Sequence, residues 1–89
     1  MIRKSVDIVN RLGLHARAAA KFVQTAGNYQ SEIRVSRDGQ TVNGKSIMGV
    51  MMLAASQGSE IELEVSGVDE AEALAALERL IAERFGEPE

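Results

Sequence analysis

A single histidine, His15, stands in a chain of 89 residues that contains no cysteine. These two facts remove disulfides, thiolate nucleophiles, cysteine-ligated metals and multi-histidine metal clusters. They leave one imidazole as the side chain type suited to nucleophilic or general-base work near neutrality. His15 follows the turn-forming Leu12-Gly13-Leu14 and precedes a helical pattern that begins near Ala16. The positive end of a helix disfavours imidazolium, and its unbonded amides can receive the oxygens of an anion carried on the ring. Arg17, in the first turn, adds a permanent cation whose planar fork matches phosphate. A neutral nucleophile, free amides and a guanidinium are what a transiently phosphorylated histidine needs, because phosphoryl transfer rests on in-line positioning and charge stabilisation. The same spacing also fits a structural histidine beside a helix start, and these residues alone leave both readings open.

Ser46 is the second residue of interest. It stands where an N-cap belongs, before Ile47, Met48, Val50, Met51, Met52 and Leu53, a short helix weakened by Gly49. Capping is a sufficient explanation for it. A helix of about two turns has one inward face. Val50, Leu53 and Ala54 can fill that face, leaving Ile47, Met48 and Met51 partly outward.

The elements that must position these residues follow from periodicity. Ile2, Lys4, Val6 and Ile8 alternate with polar neighbours, a half-buried strand with Lys4 as its exception. From Ala16 the apolar positions Ala19, Ala20, Phe22, Val23 and Ala26 recur at three and four, and Gly27-Asn28 stops the helix. Residues 32–36 alternate again, Asp38-Gly39 makes a two-residue hairpin turn, and 40–43 returns, so that Val35 faces Val42. Ile61, Leu63 and Val65 alternate with Glu60, Glu62, Glu64 and Ser66, a strand with one solvated face. Asp69 with Glu72 reads as a variant capping box opening a last helix over 70–85, whose inner stripe is Leu74, Leu77, Ile81 and Phe85. Residues 86–89 are expected to fray. The order βαββαβα predicts an α+β domain spanning 1–89: a two-layer open-faced sandwich, a four-stranded, mainly antiparallel sheet with three helices on one face. Periodicity does not order the strands.

Composition narrows the function. Apolar residues make up 45% and charged residues 26%, enough for a modest core. The net charge of −3 conceals an asymmetry: residues 1–48 carry eight cations against three acids, and the remainder two cations against ten acids. A basic half containing His15, Arg17, Lys21 and Lys45 suits acidic partners, with the negative charge expected to lie away from the chemistry. Nucleic acid is a poor fit, because only Phe22, Tyr29 and Phe85 are aromatic and no basic run of five occurs. The longest apolar stretch, residues 47–55, is nine residues, whereas a membrane span needs about 20. With no apolar signal core at residues 2–7, a cytoplasmic location without membrane insertion is expected.

Gly13-Leu14-His15-Ala16-Arg17, followed some thirty residues later by Asn43-Gly44-Lys45-Ser46-Ile47-Met48-Gly49, resembles HPr, the histidine-containing phosphocarrier family of the phosphoenolpyruvate:sugar phosphotransferase system. The resemblance covers essentially the whole chain. It implies the sheet order 1-4-2-3 and His15 as phosphoacceptor through Nδ1, charged by phospho-enzyme I and discharged to IIA domains, with Arg17 stabilising the phosphoryl group. It also implies regulatory phosphorylation of Ser46 by HPr kinase/phosphorylase, and a docking surface of Ala16, Arg17, Ala20, Ile47, Met48 and Met51. No cofactor or metal is implied in this chain, which would act as a monomeric relay substrate and not as a stand-alone enzyme. One departure is Ala18, where the family usually has proline. Alanine keeps a strong helix propensity and restores an amide, so transfer should survive while the branch of the family, sugar-uptake or mainly regulatory, stays open. A regulatory interaction protein using the same face is the alternative. A small-ligand-binding domain is weaker, since no glycine-rich phosphate loop occurs.

Overall fold

A computed structural model describes all residues, 1–89. The elements are β1 (Ile2–Asp7), α1 (Ala16–Ala26), β2 (Glu32–Arg37), β3 (Gln40–Asn43), α2 (Ile47–Met52), β4 (Glu60–Ser66) and α3 (Glu70–Ala82), followed by a single 3-10 turn at Arg84–Gly86. The four strands form one antiparallel sheet in the order β1-β4-β2-β3. This is the order the resemblance implied and alternation could not supply.

The alternating apolar positions do what their period requires. Ile33, Val35, Ile61, Leu63 and Val65 are buried under the helices, while Glu32, Arg34 and Glu60 face solvent. Val35 pairs with Val42, and the hairpin between them turns on Asp38 (φ 50°) and Gly39 (φ 82°), both in the left-handed region that such a two-residue turn needs. The Lys4 exception also has a reason. Its stem runs along the helix-covered side and its ammonium reaches Glu78 on α3 at 2.5 Å.

The helices bury Ala18, Ala19, Phe22 and Ala26 from α1, Val50 from α2, and Ala73, Leu74, Leu77 and Ile81 from α3 in one shared core. Three expectations need correction. Ala54 is exposed, and Leu53 and Ala55 fill the space beneath α2 instead, because the backbone turns left-handed at Ala54 (φ 50°) and ends the helix early. The last helix ends at Ala82, not at 85, and Phe85 reaches the core from a left-handed turn (Arg84 φ 59°, Phe85 φ 55°). No capping box forms at α3. Asp69 accepts from Gln30 N (2.8 Å), Ser31 N (3.0 Å) and Ser31 Oγ (2.5 Å), while Glu70 takes the Gly67 amide at 3.2 Å. The amide of buried Ser31 has no sheet partner, so the carboxylate is worth more there than on its own helix.

Candidate functional site

His15 is the N-cap of α1, with extended backbone (φ −70°, ψ 177°) and no side-chain hydrogen bond to the first turn. Its carbonyl accepts the first helical bond, from Ala19 N at 2.8 Å. The amides of Ala16, Arg17 and Ala18 therefore have no partner in the chain. No acidic side chain occupies this first turn to neutralise them. Ala18 is fully buried in the shared core.

The loop before the helix is locked from both sides. Leu14 N donates to Ala55 O at 2.9 Å, and Gly13 N to Asn10 O at 3.2 Å. Gly13 holds φ +68°, and a Cβ there would stand 2.4 Å from the Ala55 carbonyl oxygen. Only glycine satisfies both the angle and the space. Asn10, fully buried, donates through Nδ2 to Gly13 O at 2.8 Å, and through the same nitrogen to Glu87 Oε1 at 3.0 Å.

That second bond leads to a residue sequence reading passed over. Residues 86–89, expected to fray, are tied down. Phe85 is buried, its carbonyl accepts Lys21 Nζ at 2.7 Å, and Glu89 accepts from Arg11 through both its backbone oxygen (2.9 Å) and its carboxylate (2.8 Å). Between these anchors Glu87 sets one carboxylate oxygen on Asn10 and the other on His15 Nε2. Burial works to raise the Glu87 carboxyl, but the hydrogen bonds from Asn10 and His15, with the charge His15 carries when protonated and that of Arg17, outweigh it and hold it below the usual carboxylate range. A carboxylate only accepts, so Nε2 carries the proton and faces Glu87. Nδ1 makes no hydrogen bond within the chain, and the ring side chain keeps 27% of its surface exposed. Negative charge thus does reach the chemistry, contrary to the expectation from the charge split.

Arg17 is exposed and makes no ion pair. With Arg11, Leu12 and Glu87 it lines a shallow hollow beside the ring. Ser46 caps α2 as expected, its Oγ accepting from Gly49 N at 3.1 Å. Helices α1 and α2 pack together. Their outer faces present Ala16 with Ile47 (44% exposed), Met48 (71%) and Met51 (39%), while Ala20 is half-buried. Leu12 (64%) and Met52 (63%), not singled out by the sequence, are also exposed apolar residues.

This geometry can be set beside known proteins. The family profile described as "PTS HPr component phosphorylation site" matches residues 2–83. The chain belongs to the HPr family. Phosphocarrier protein HPr of Neisseria meningitidis is 57% identical to it over 89 residues, the whole of both chains. The crystal structure of HPr-C-His from Thermoanaerobacter tengcongensis superposes with a TM-score of 0.96, at 49% identity and full coverage of both chains. A crystal structure of an HPr dimer from the same organism matches at 0.79, with 50% identity over 98% of this chain and all of that one. The HPr fold and the four-stranded order 1-4-2-3 are therefore shared, and no helix of this HPr-family chain is long and apolar enough to cross a membrane.

Proposed function

We propose that the protein is a cytoplasmic phosphocarrier in which Nδ1 of His15 takes a phosphoryl group from phospho-enzyme I and delivers it to IIA domains. The observation that carries this reading is the partly exposed ring at the uncapped start of α1, with the amides of exposed Ala16 and Arg17 and the Arg17 guanidinium free to receive phosphoryl oxygens. On loading, the Nδ1 lone pair forms a P–N bond as the donor's P–N bond breaks and the donor nitrogen leaves with its electron pair; on discharge the acceptor nucleophile bonds phosphorus and Nδ1 leaves with the P–N pair. The helix dipole, the amides and the guanidinium stabilise the charge on the equatorial oxygens.

Partners dock on the adjoining surface, where Ala16, Ala20, Ile47, Met48 and Met51 form an apolar centre beside Arg17. A small apolar patch with a basic rim suits fast, transient association with acidic surfaces. Ser46 lies in that surface. Phosphate there would add nearly two negative charges at a position the α2 start tolerates, and would repel an acidic partner without refolding the chain. HPr kinase/phosphorylase is the enzyme the family resemblance assigns to this step. Ser46→Asp should then fold normally and take phosphoryl groups from enzyme I more slowly; an unchanged rate would remove this regulatory role.

Incubation with enzyme I, Mg²⁺ and phosphoenolpyruvate tests the relay. An acid-labile, base-stable adduct of one phosphoryl mass is expected on the intact protein, absent from His15→Ala. No adduct on the parent chain would overturn the carrier reading in favour of a regulatory binding protein.

A further inference from the structure

We propose that Glu87 is a positioning residue for phosphoryl transfer: by accepting the Nε2 proton of His15 it holds the imidazole in the tautomer and orientation that present a bare Nδ1 lone pair. The inference rests on the proposed role of His15 and adds to it a residue outside both sequence motifs. Two observations and the balance of the chemistry support it.

The contact is built and not incidental. Glu87 lies on a strap anchored on one side by buried Phe85 and its Lys21 bond, and on the other by the Arg11–Glu89 pair. The consecutive left-handed residues Arg84 and Phe85 turn the chain off the axis of α3 and back towards the ring. Left-handed backbone at two non-glycine residues is unfavourable locally, and packing of the strap must offset it.

The carboxylate is itself oriented. Fully buried Asn10 donates to Oε1, which leaves Oε2 for Nε2. Asn10 also holds the Gly13 carbonyl at 2.8 Å, so the same amide group joins the loop carrying His15 to the strap carrying Glu87.

The chemistry balances without another group. When the Nδ1 lone pair forms the P–N bond, the ring becomes an imidazolium and loses no proton. Its Nε2 proton stays between ring and carboxylate, and the Glu87 charge faces the positive charge that develops. When the phosphoryl group departs, the P–N electron pair returns to Nδ1 and the same neutral tautomer is restored.

Two variants separate positioning from simple packing. In Glu87→Gln, Asn10 still donates to the side-chain oxygen, so the amide nitrogen faces His15. Nε2 must then accept, and the ring proton moves to Nδ1, the atom that should attack. Glu87→Ala imposes neither tautomer. ¹⁵N NMR of the His15 ring, at a pH where it is neutral, should show the Nε2–H form dominant in the parent protein, a mixture in Glu87→Ala and a shift towards Nδ1–H in Glu87→Gln. Transfer from enzyme I should fall about three-fold in Glu87→Ala and about ten-fold or more in Glu87→Gln at unchanged KM, a wrong-tautomer effect moderated by solvent access. If Glu87→Gln instead matches the parent in both spectrum and rate, or if all three proteins share one spectrum, the positioning role is overturned. The spectra are read on unphosphorylated protein. They decide the role of Glu87 independently of the adduct experiment, whose failure would count against the relay itself.

Discussion

At the start of α2 the Ser46 hydroxyl occupies the Gly49 amide, whereas at the start of α1 the His15 ring turns away and leaves the amides of Ala16, Arg17 and Ala18 without a partner. Both helices begin from an extended N-cap residue, and both lack acidic side chains in the first turn. The difference lies in one side chain. A hydroxyl is short enough to fold back on its own helix, while an imidazole in this loop is drawn outwards to Glu87. The capped start gains local stability; the uncapped start keeps donors available for an anion. The proposed phosphoryl site is thus the helix start whose cap is missing, and the loop before it is held by the bonds of Asn10, Gly13 and Leu14.

The largest effect should come from closing the open start. His15→Ser and His15→Ala should both lose phosphoryl acceptance entirely, and the serine variant should be more stable than the alanine variant by about 1 kcal/mol, the usual worth of an N-cap. Denaturant melts of the two proteins measure that gap; equal stability would show that the α1 start does not lack a cap. The converse change opens the closed start. Ser46→Ala should cost about 1 kcal/mol of stability and leave phosphorylation of His15 intact, as intact-mass spectra would show.

The third helix start sharpens the comparison by pH. Asp69 faces the loop at Gln30 and Ser31 and not its own helix, and the Ser31 hydroxyl, followed by the Gln30 amide, holds its carboxyl below the ordinary 3.8. A depressed folded-state pKa contributes stability above the ordinary value, and that contribution disappears as pH falls through the depressed one. Asp69→Asn should accordingly melt lower than the parent at neutral pH, and the gap should narrow as the pH is taken below 3.8. A gap that stays constant with pH would mean that the carboxylate charge plays no part in holding this loop. This effect should be the smallest of the three, since Asp69 is partly exposed and solvent screens it.

Much of the site was legible because its signals are local. His15 before a helical period, Arg17 in the first turn and Ser46 at a cap depend on residues within four positions of one another, and the structure places each where spacing put it. The strands were legible for the same reason, and the Val35–Val42 register followed from a two-residue turn. Asp69 shows where local reading fails. Its spacing to Glu72 satisfied a capping rule, yet the amides it serves lie 38 and 39 positions away.

The sequence by itself determined the elements, the hairpin register, the exclusion of cysteine and multi-histidine chemistry, and the two motifs that mark the family. Tertiary structure alone decided which carboxylate meets the histidine. Glu87 is 72 positions from His15, and no period or spacing connects them. The connection exists because Phe85 finds space in the core shared by the helices and sheet, and a buried aromatic fixes the course of the residues that follow it. Glu87, Pro88 and Glu89 look like a polar tail when read along the chain. Once Phe85 is packed they form a strap over the start of α1, because long-range packing selects among positions that local propensity leaves equal.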